Sequence, residues 1–318
     1  MSIVEQALLI PCAGELLPAI VAWPRHLLRE DDPPQQAAAT VAAIGKQELW
    51  TATHDGAADC RAACGVLLVV GGPQYRVGSH RQFLLLARRL AAEGYPVMRF
   101  DYRGMGDAGG AMRSFEEVSE DIAAAIDTFR QHCPSVRRIV LWGLCDAASA
   151  ALLYVHARAD VRLAGLVVLN PWVRSEASLA QTHIKHYYGQ RLLEAQFWRK
   201  LLSGRLTVLK SLRELLRTAL TARRGASNDA PSLSFQDRMA AGWRQFTGPV
   251  LLILSGQDYT AKEFLEFVSR HPDWAGLTEA ANVRRVDVAD ADHTFSCAAW
   301  RTQVEDATLE WLDRLTAV

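Results

Sequence analysis

From residue 65 onward, short aliphatic runs alternate with amphipathic segments of helical period, and this alternation restricts the fold more than any other feature. Parallel strands joined by helices need right-handed crossovers, which place helices on both faces of the sheet. The pattern therefore predicts an α/β domain with a mostly parallel sheet. The predicted strands span 65–70, 96–101, 138–142, 163–169, 249–254 and 282–288.

The segments between these runs predict helices that bury one face. Ser114 and Glu117 form an S-x-x-E pattern, which is typical of a helix N-terminus, so we expect a helix to begin at Ser114. Gly94 follows an apolar helical stripe and is typical of a helix C-cap. The other predicted helices span 79–93, 147–156 and 298–315, and apolar runs at 3–11 and 16–23 predict an N-terminal antiparallel hairpin.

Two segments interrupt the alternation. Residues 27–64 are rich in Ala, Gln, Asp and Pro, and we interpret them as a variable insertion. Residues 171–248 predict two or three helices with many basic and aromatic side chains, which we interpret as a lid over the carboxyl end of the sheet. A helical excursion with a solvated charged face would explain the same pattern. We predict one domain over residues 1–318, with both segments inside it.

Composition excludes several classes of partner. The chain has 35 Lys plus Arg and 35 Asp plus Glu, so no overall field attracts nucleic acid. No apolar run approaches the roughly 20 residues that a transmembrane helix needs. The N-terminal segment lacks a basic start and is interrupted by Pro11, Gly14 and Pro18, which is not typical of a signal peptide. We therefore expect a cytoplasmic protein without a transmembrane segment or a nucleic-acid partner.

Two patterns resemble cofactor or metal motifs, and we interpret both as coincidental. Residues 104–109 form a GxGxxG run after a strand, but the next helix is expected at Ser114 and not within the glycines. Cys60 and Cys64 lie near His54, yet no second pair of ligands follows at zinc-site spacing. The six cysteines are scattered along a large chain, which indicates reduced thiols. We expect no cofactor and no bound metal.

Residues 142–147 form the sharpest local pattern, because an apolar strand ends at Gly143 and a helix is expected just after Cys145. This pattern resembles a nucleophile elbow, a strained turn whose flanking residues must be small. Gly143 and Ala147 are small, although Cys145 and Ala147 stand where Ser and a second Gly are usual. A helix N-terminus and a nearby imidazole would favour a reactive thiolate. A small buried cysteine in a tight turn is the alternative interpretation.

Two further polar residues follow late strands. Asp258 comes after the strand at 249–254, and His293 lies between the last strand and the last helix. The chain order is then nucleophile, acid, base, which is the order of the α/β-hydrolase fold. We predict Cys145 as nucleophile, His293 as base and Asp258 as the acid that orients the base. Asp258 could instead cap the next helix, and two other carboxylates could orient the base, Asp290 and Asp292.

An oxyanion hole requires two backbone N–H donors where negative charge develops. The amide of Asp146, directly after the predicted nucleophile, is the first candidate. The second should come from the loop after the first parallel strand, where Pro73 has no N–H. We predict Gly72 as this donor, with Gln74 as the alternative. Glycines that merely form a tight turn would explain the same loop.

Three runs together make the sequence similar to the exosortase A system-associated hydrolase 1 family. The resemblance implies a bacterial protein with the α/β-hydrolase fold, linked to exopolysaccharide production and to sorting of proteins with a C-terminal PEP-type signal. It implies no particular substrate. The runs are Val70-Gly71-Gly72-Pro73-Gln74-Tyr75-Arg76-Val77-Gly78-Ser79-His80-Arg81, Phe100-Asp101-Tyr102-Arg103-Gly104-Met105-Gly106-Asp107 and Gly143-Leu144-Cys145-Asp146-Ala147-Ala148-Ser149.

The predicted function is hydrolysis of an ester or thioester through an acyl-enzyme on Cys145. The expected partner is a small acyl ester or thioester, with lipid- and sugar-linked substrates as options. Transfer of the acyl group to an acceptor is one alternative, because thiolate acylation is easy and release by water can be slow. A binding or scaffold protein that has lost turnover is another. The basic residues of the predicted lid leave peripheral membrane contact open.

Overall fold

The computed structural model describes residues 2–24, 60–72, 74–174 and 233–317. Within these ranges the predicted alternation of strands and helices is confirmed. The strands are β1 (Ile3–Cys12), β2 (Glu15–Pro24), β3 (Cys64–Val69), β4 (Val97–Phe100), β5 (Arg138–Leu144), β6 (Leu163–Leu169), β7 (Val250–Ser255) and β8 (Val283–Val288). The helices are α1 (Gln82–Ala92), α2 (Ser119–His132), α3 (Asp146–Ala157), α4 (Phe235–Gln245), α5 (Tyr259–Arg270) and α6 (Ala298–Thr316).

These strands form one sheet in the order β1-β2-β4-β3-β5-β6-β7-β8. Strand β2 pairs antiparallel with both β1 and β4, whereas every other neighbouring pair is parallel. The predicted hairpin is therefore an antiparallel edge on a parallel sheet. The carboxyl ends of β3, β5, β6, β7 and β8 meet at one edge, so the loops that follow them are brought together.

Helices cover both faces of the sheet. Strands β3 and β7 are completely buried, as expected for parallel strands packed on two sides. Alternate residues of β5 enter opposite cores, since Leu141 packs with α2, α3 and α4 while Trp142 packs with α1 and α6. In the described ranges, no helix is both long and apolar enough to cross a bilayer.

The predicted start of α2 at Ser114 is wrong, because the helix begins at Ser119. The Ser114 hydroxyl donates to the Glu117 carboxylate at 3.2 Å, and the Glu117 amide donates to the Ser114 carbonyl at 3.0 Å. These bonds close a separate turn ahead of the helix. Asp121, in the first helical turn, accepts hydrogen bonds from Arg103 and so anchors the start of α2.

The structure describes only part of the two segments that interrupt the predicted alternation. Residues 25–59, which include most of the predicted insertion at 27–64, and residues 175–232 of the predicted lid lie outside the described residues. Helix α4, at the end of the predicted lid segment, packs against α3. The approach is close at Gly242, where a Cβ atom would lie 2.2 Å from the Leu152 carbonyl oxygen. The domain boundaries stay a prediction.

Gly242→Ala should destabilise the protein although alanine is the better helix former. The added Cβ meets the backbone of α3, and overpacking of this kind costs about 1–3 kcal/mol, more than the ~1 kcal/mol gained in helix propensity. Urea unfolding checks this. Gln245→Ala, at an exposed position of the same helix, is the control and should change stability by less than about 0.5 kcal/mol. A Gly242→Ala protein as stable as wild type would contradict the close packing of α3 and α4.

Candidate active site

Cys145 occupies a strained turn between β5 and α3. Its backbone dihedrals are φ 64° and ψ −125°, a conformation that non-glycine residues rarely adopt. The turn is tight, because a Cβ atom on Gly143 would lie 2.6 Å from the carbonyl of Ala147. The half-buried Cys145 side chain therefore stands at the end of a strand and at the N-terminus of a helix. This is the geometry that the sequence pattern predicts.

Neighbouring backbone groups hold this turn in place. The Cys145 amide donates to the Leu169 carbonyl at the end of β6, at 2.9 Å, and the Trp172 amide donates to the Cys145 carbonyl at 3.3 Å. Ser149, which is fully buried, donates its hydroxyl to the Trp172 carbonyl at 2.7 Å. The backbone on both sides of Cys145 is thereby fixed against the neighbouring strand, which maintains the strained conformation.

His293 and Asp258 are in direct contact. Nδ1 of His293 lies 2.8 Å from Oδ2 of Asp258. Asp258 also caps α5, since its carboxylate accepts from the amides of Thr260 at 3.0 Å and Ala261 at 3.2 Å. The two interpretations of Asp258 in the sequence, helix cap and partner of His293, therefore hold together. Capping fixes the carboxylate in the position from which it binds the imidazole.

Asp290 and Asp292, the alternatives to Asp258, are not the carboxylates bonded to the His293 ring. Asp292 accepts from the amides of Thr294 at 3.1 Å and Ser296 at 3.0 Å, and also from the Ser296 hydroxyl. It therefore shapes the loop that carries the histidine. Asp290 is exposed to solvent. Among the three aspartates considered from the sequence, Asp258 is the one that the structure places on the imidazole.

The surroundings of His293 favour its charged form. The hydrogen bond to Asp258 and then the contact with the Cys145 side chain raise the pKa of His293 to about 10, although burial opposes this rise. Burial alone would raise the pKa of Asp258, but the hydrogen bond from His293 brings it below its usual value. These interactions therefore favour the imidazolium form of His293 at neutral pH.

The His293–Asp258 pair should contribute to stability in a defined pH window. Because the folded pKa of His293 is raised to about 10, its contribution is complete below the unfolded value of about 6.5 and is lost as pH rises through 10. Because the pKa of Asp258 is lowered, the same contact is lost in acid. A double-mutant cycle with His293→Gln and Asp258→Asn should give a larger coupling energy at about pH 6 than at about pH 10.5. A coupling independent of pH would contradict this assignment of charge.

The loop after β3 is joined to the elbow by a side chain. Gly72, with φ +63°, donates its amide to Oδ2 of Asp146 at 2.8 Å. The Gln74 amide, the alternative donor, is bonded to the Gly72 carbonyl at 2.8 Å. A Cβ atom on Gly71 would lie 2.2 Å from Oδ1 of Asp146. The structure thus brings Gly72 and Asp146 together, but the Gly72 N–H holds a carboxylate.

Asn170 is a site residue that the sequence analysis missed. It follows β6, is fully buried and adopts φ 43°. Its side-chain oxygen accepts from the Ser255 amide at 2.9 Å, and its nitrogen donates to the Ser255 hydroxyl at 2.8 Å and the His293 carbonyl at 3.3 Å. Asn170 therefore links the ends of β6 and β7 to the histidine loop. A polar residue directly after a buried strand was the signal that could have revealed it.

The turn after β4 supports the loop that follows β3. Asp101 is fully buried and accepts from the amides of Arg76 at 2.6 Å and Asp107 at 3.0 Å. Arg103 is bound by the Asp121 carboxylate, with its Nε 3.0 Å from Oδ1. The chain passes through Gly104 at φ +71°, and α2 begins only at Ser119. The glycine-rich run 104–109 is therefore part of a structural turn.

Asn170→Ala should loosen the histidine loop and lower stability. Removing the amide leaves the buried Ser255 groups without their partner, which costs about 1–3 kcal/mol. Hydrogen exchange should also become faster in residues 289–296. Asn282→Ala is the matched control, because Asn282 donates to the Gly248 carbonyl at 2.8 Å at the opposite end of β7. It should lower stability without changing exchange in the histidine loop, whereas equal exchange in both variants would contradict the proposed link.

A mostly parallel sheet with an elbow after β5 and a His–Asp pair after β7 and β8 defines the α/β-hydrolase class, and the chain is an enzyme of this class. The family model Hydrolase_4, described as serine aminopeptidase, S33, matches residues 63–263, and the chain belongs to this family. In this chain a cysteine stands at the elbow. None of the curated proteins matches the chain.

Solved structures with the same fold share little sequence identity with this chain. The esterase Pf2001 from Pyrococcus furiosus is 15% identical, with a TM-score of 0.58 over 98% of this chain and 91% of that one. Est1E from Butyrivibrio proteoclasticus, solved with ferulic acid, is 14% identical, with a TM-score of 0.57 over 98% and 100%. An α/β serine hydrolase homologue from Coxiella burnetii is 13% identical, with a TM-score of 0.50 over 96% and 97%. These similarities establish the fold alone.

Proposed function

We propose that this enzyme cleaves esters or thioesters through a covalent acyl-enzyme on Cys145, with His293 moving protons and Asp258 orienting His293. One observation carries the proposal: the His293 ring lies 2.8 Å from the Asp258 carboxylate and also interacts with the Cys145 side chain on its strained turn. Nucleophile, base and orienting acid within contact of one another are the requirement for this chemistry. Esterases are among the solved structures that share this fold, which agrees with the proposal.

The reaction would proceed in two steps. The Cys145 thiolate attacks the carbonyl carbon, and the tetrahedral intermediate collapses as the leaving oxygen or sulfur takes a proton from the His293 imidazolium. A water molecule then gives a proton to neutral His293 and attacks the thioester. Collapse of the second intermediate releases the acid and restores the thiolate beside an imidazolium. The amides of Gly72 and Asp146 would stabilise the oxyanion in both steps.

The substrate class follows from the same chemistry. We propose a small acyl ester or thioester, with the acyl group on a lipid or a sugar as options. The thioester on Cys145 could also pass its acyl group to a hydroxyl or amine, which would make the enzyme an acyltransferase. The similarity of residues 70–81, 100–107 and 143–149 to the exosortase-associated hydrolases supports a task in exopolysaccharide production or in sorting of PEP-type proteins.

The first test is acyl labelling and turnover with p-nitrophenyl acetate. Cys145→Ala should lose the acetyl adduct in intact-protein mass spectrometry and at least about 10³-fold in turnover, because the nucleophile is gone. Cys297→Ala is the matched control, since Cys297 is exposed and lies before α6, and it should behave as wild type. Turnover that survives in folded Cys145→Ala would overturn the proposed mechanism and favour a scaffold or another nucleophile.

A further inference from the structure

The Asp146 side chain is in an unusual position for a residue directly after a nucleophile. Its Oδ2 accepts the Gly72 N–H at 2.8 Å, and its Oδ1 is buried without a hydrogen-bond partner among the residues that the structure describes. The carboxylate interacts electrostatically with Tyr102 and His293. The carboxylate therefore lies inside the proposed oxyanion site and not in solvent.

The neighbouring backbone accommodates this carboxylate closely. A Cβ atom on Gly71 would lie 2.2 Å from Oδ1 of Asp146, so any side chain at position 71 would displace the carboxylate. Gly72 reaches its position with φ +63°, which also favours glycine. Both residues of the loop that touch the carboxylate are thus glycines for a physical reason. The contact is part of how the loop and the elbow fit together.

This contact conflicts with the proposed chemistry. The oxygen of a tetrahedral intermediate carries negative charge and needs the same Gly72 N–H that the Asp146 carboxylate holds. Two anionic oxygens at one donor repel each other strongly in a buried site, where little solvent screens them. The substrate oxygen and the Asp146 carboxylate therefore cannot both use the donor.

We propose that Asp146 determines which acyl donors react, because its carboxylate occupies the Gly72 N–H in the resting enzyme and must be displaced before acylation. This inference rests on the proposed function. Burial raises the pKa of Asp146, whereas the amides of Gly72, Ala147 and Asp146 and the charge on His293 oppose the rise, so the Gly72 amide is one of the groups that stabilise the buried charge. A donor must bind through its other contacts tightly enough to move the carboxylate. Asp146 is thus a specificity-determining residue that slows acylation by poorly bound esters.

Two reactions of Cys145 separate this effect from a change in thiol reactivity. Acetylation by p-nitrophenyl acetate passes through an oxyanion, whereas alkylation by iodoacetamide does not. The measured quantity is the ratio of the two single-turnover rates. Asp146→Ala should raise this ratio by about tenfold or more, since it frees the Gly72 donor. Asp146→Asn should raise it less, because the amide oxygen can still accept the bond but carries no charge.

Each outcome decides the inference. A ratio in folded Asp146→Ala that is equal to or below wild type would overturn it, because the carboxylate would then not obstruct acylation. If Asp146→Ala does not fold, Asp146→Asn decides: its side chain carries no charge to repel the oxyanion, so a ratio equal to or below wild type in that variant would overturn the inference. Cys145→Ala is measured in parallel. If it keeps turnover, the proposed function fails; if it is inactive while neither Asp146 variant accelerates acylation, only the present inference fails.

Discussion

The strained turn at Cys145 is the constraint on which the rest of the site depends. A left-handed conformation at a non-glycine residue is unfavourable, so the surrounding structure must hold it. It is held by bonds from the Cys145 amide and carbonyl to the chain at and after β6. Gly143 also packs closely against Ala147, which leaves no room for a side chain at position 143. The parallel sheet thus fixes the side chain at the edge where the other loops meet.

Polar residues at this edge each position more than one part of the structure. Asp258 caps α5 with the carboxylate that also binds His293, so the helix and the imidazole are positioned by one group. Asn170 bonds to both Ser255 and the His293 carbonyl, which connects the histidine loop to the strand ends. Such groups are buried and paired, and they are therefore rigid. If His293 transfers protons as proposed, an imidazole held in this way would lose little orientational freedom when substrate binds.

Much of the fold could be predicted because the periodicity of apolar residues and the short aliphatic runs are local properties of the sequence. Strands β3 to β8, the hairpin and the terminal helix were expected near their observed positions. The start of α2 was misplaced, because the Ser114–Glu117 pair closes a turn of its own and the anchoring Arg103–Asp121 bond joins residues far apart. A local sequence pattern does not show which distant residues will form hydrogen bonds with it.

The candidate site shows the same division between local and long-range information. The strand–Gly–x–Cys pattern and the order of Cys145, Asp258 and His293 are visible in the sequence, and the structure brings these residues to one edge. The sequence does not show that Asn170 bonds to Ser255, or that the Asp146 carboxylate accepts from Gly72. Both depend on which side chain turns toward a loop that is distant in the chain, and that is decided by packing.

The charge on His293 bears on why a cysteine stands at this elbow. A serine nucleophile needs a neutral imidazole to accept its proton, and an imidazolium cannot do so. Here the Asp258 hydrogen bond is the largest of the interactions that raise the pKa of His293 to about 10, which favours the imidazolium at neutral pH. The thiolate is the nucleophilic form of a cysteine, and it has no proton that the imidazole must accept. The electrostatics of the pair therefore agree with the proposed thiolate nucleophile, in a family whose description names serine.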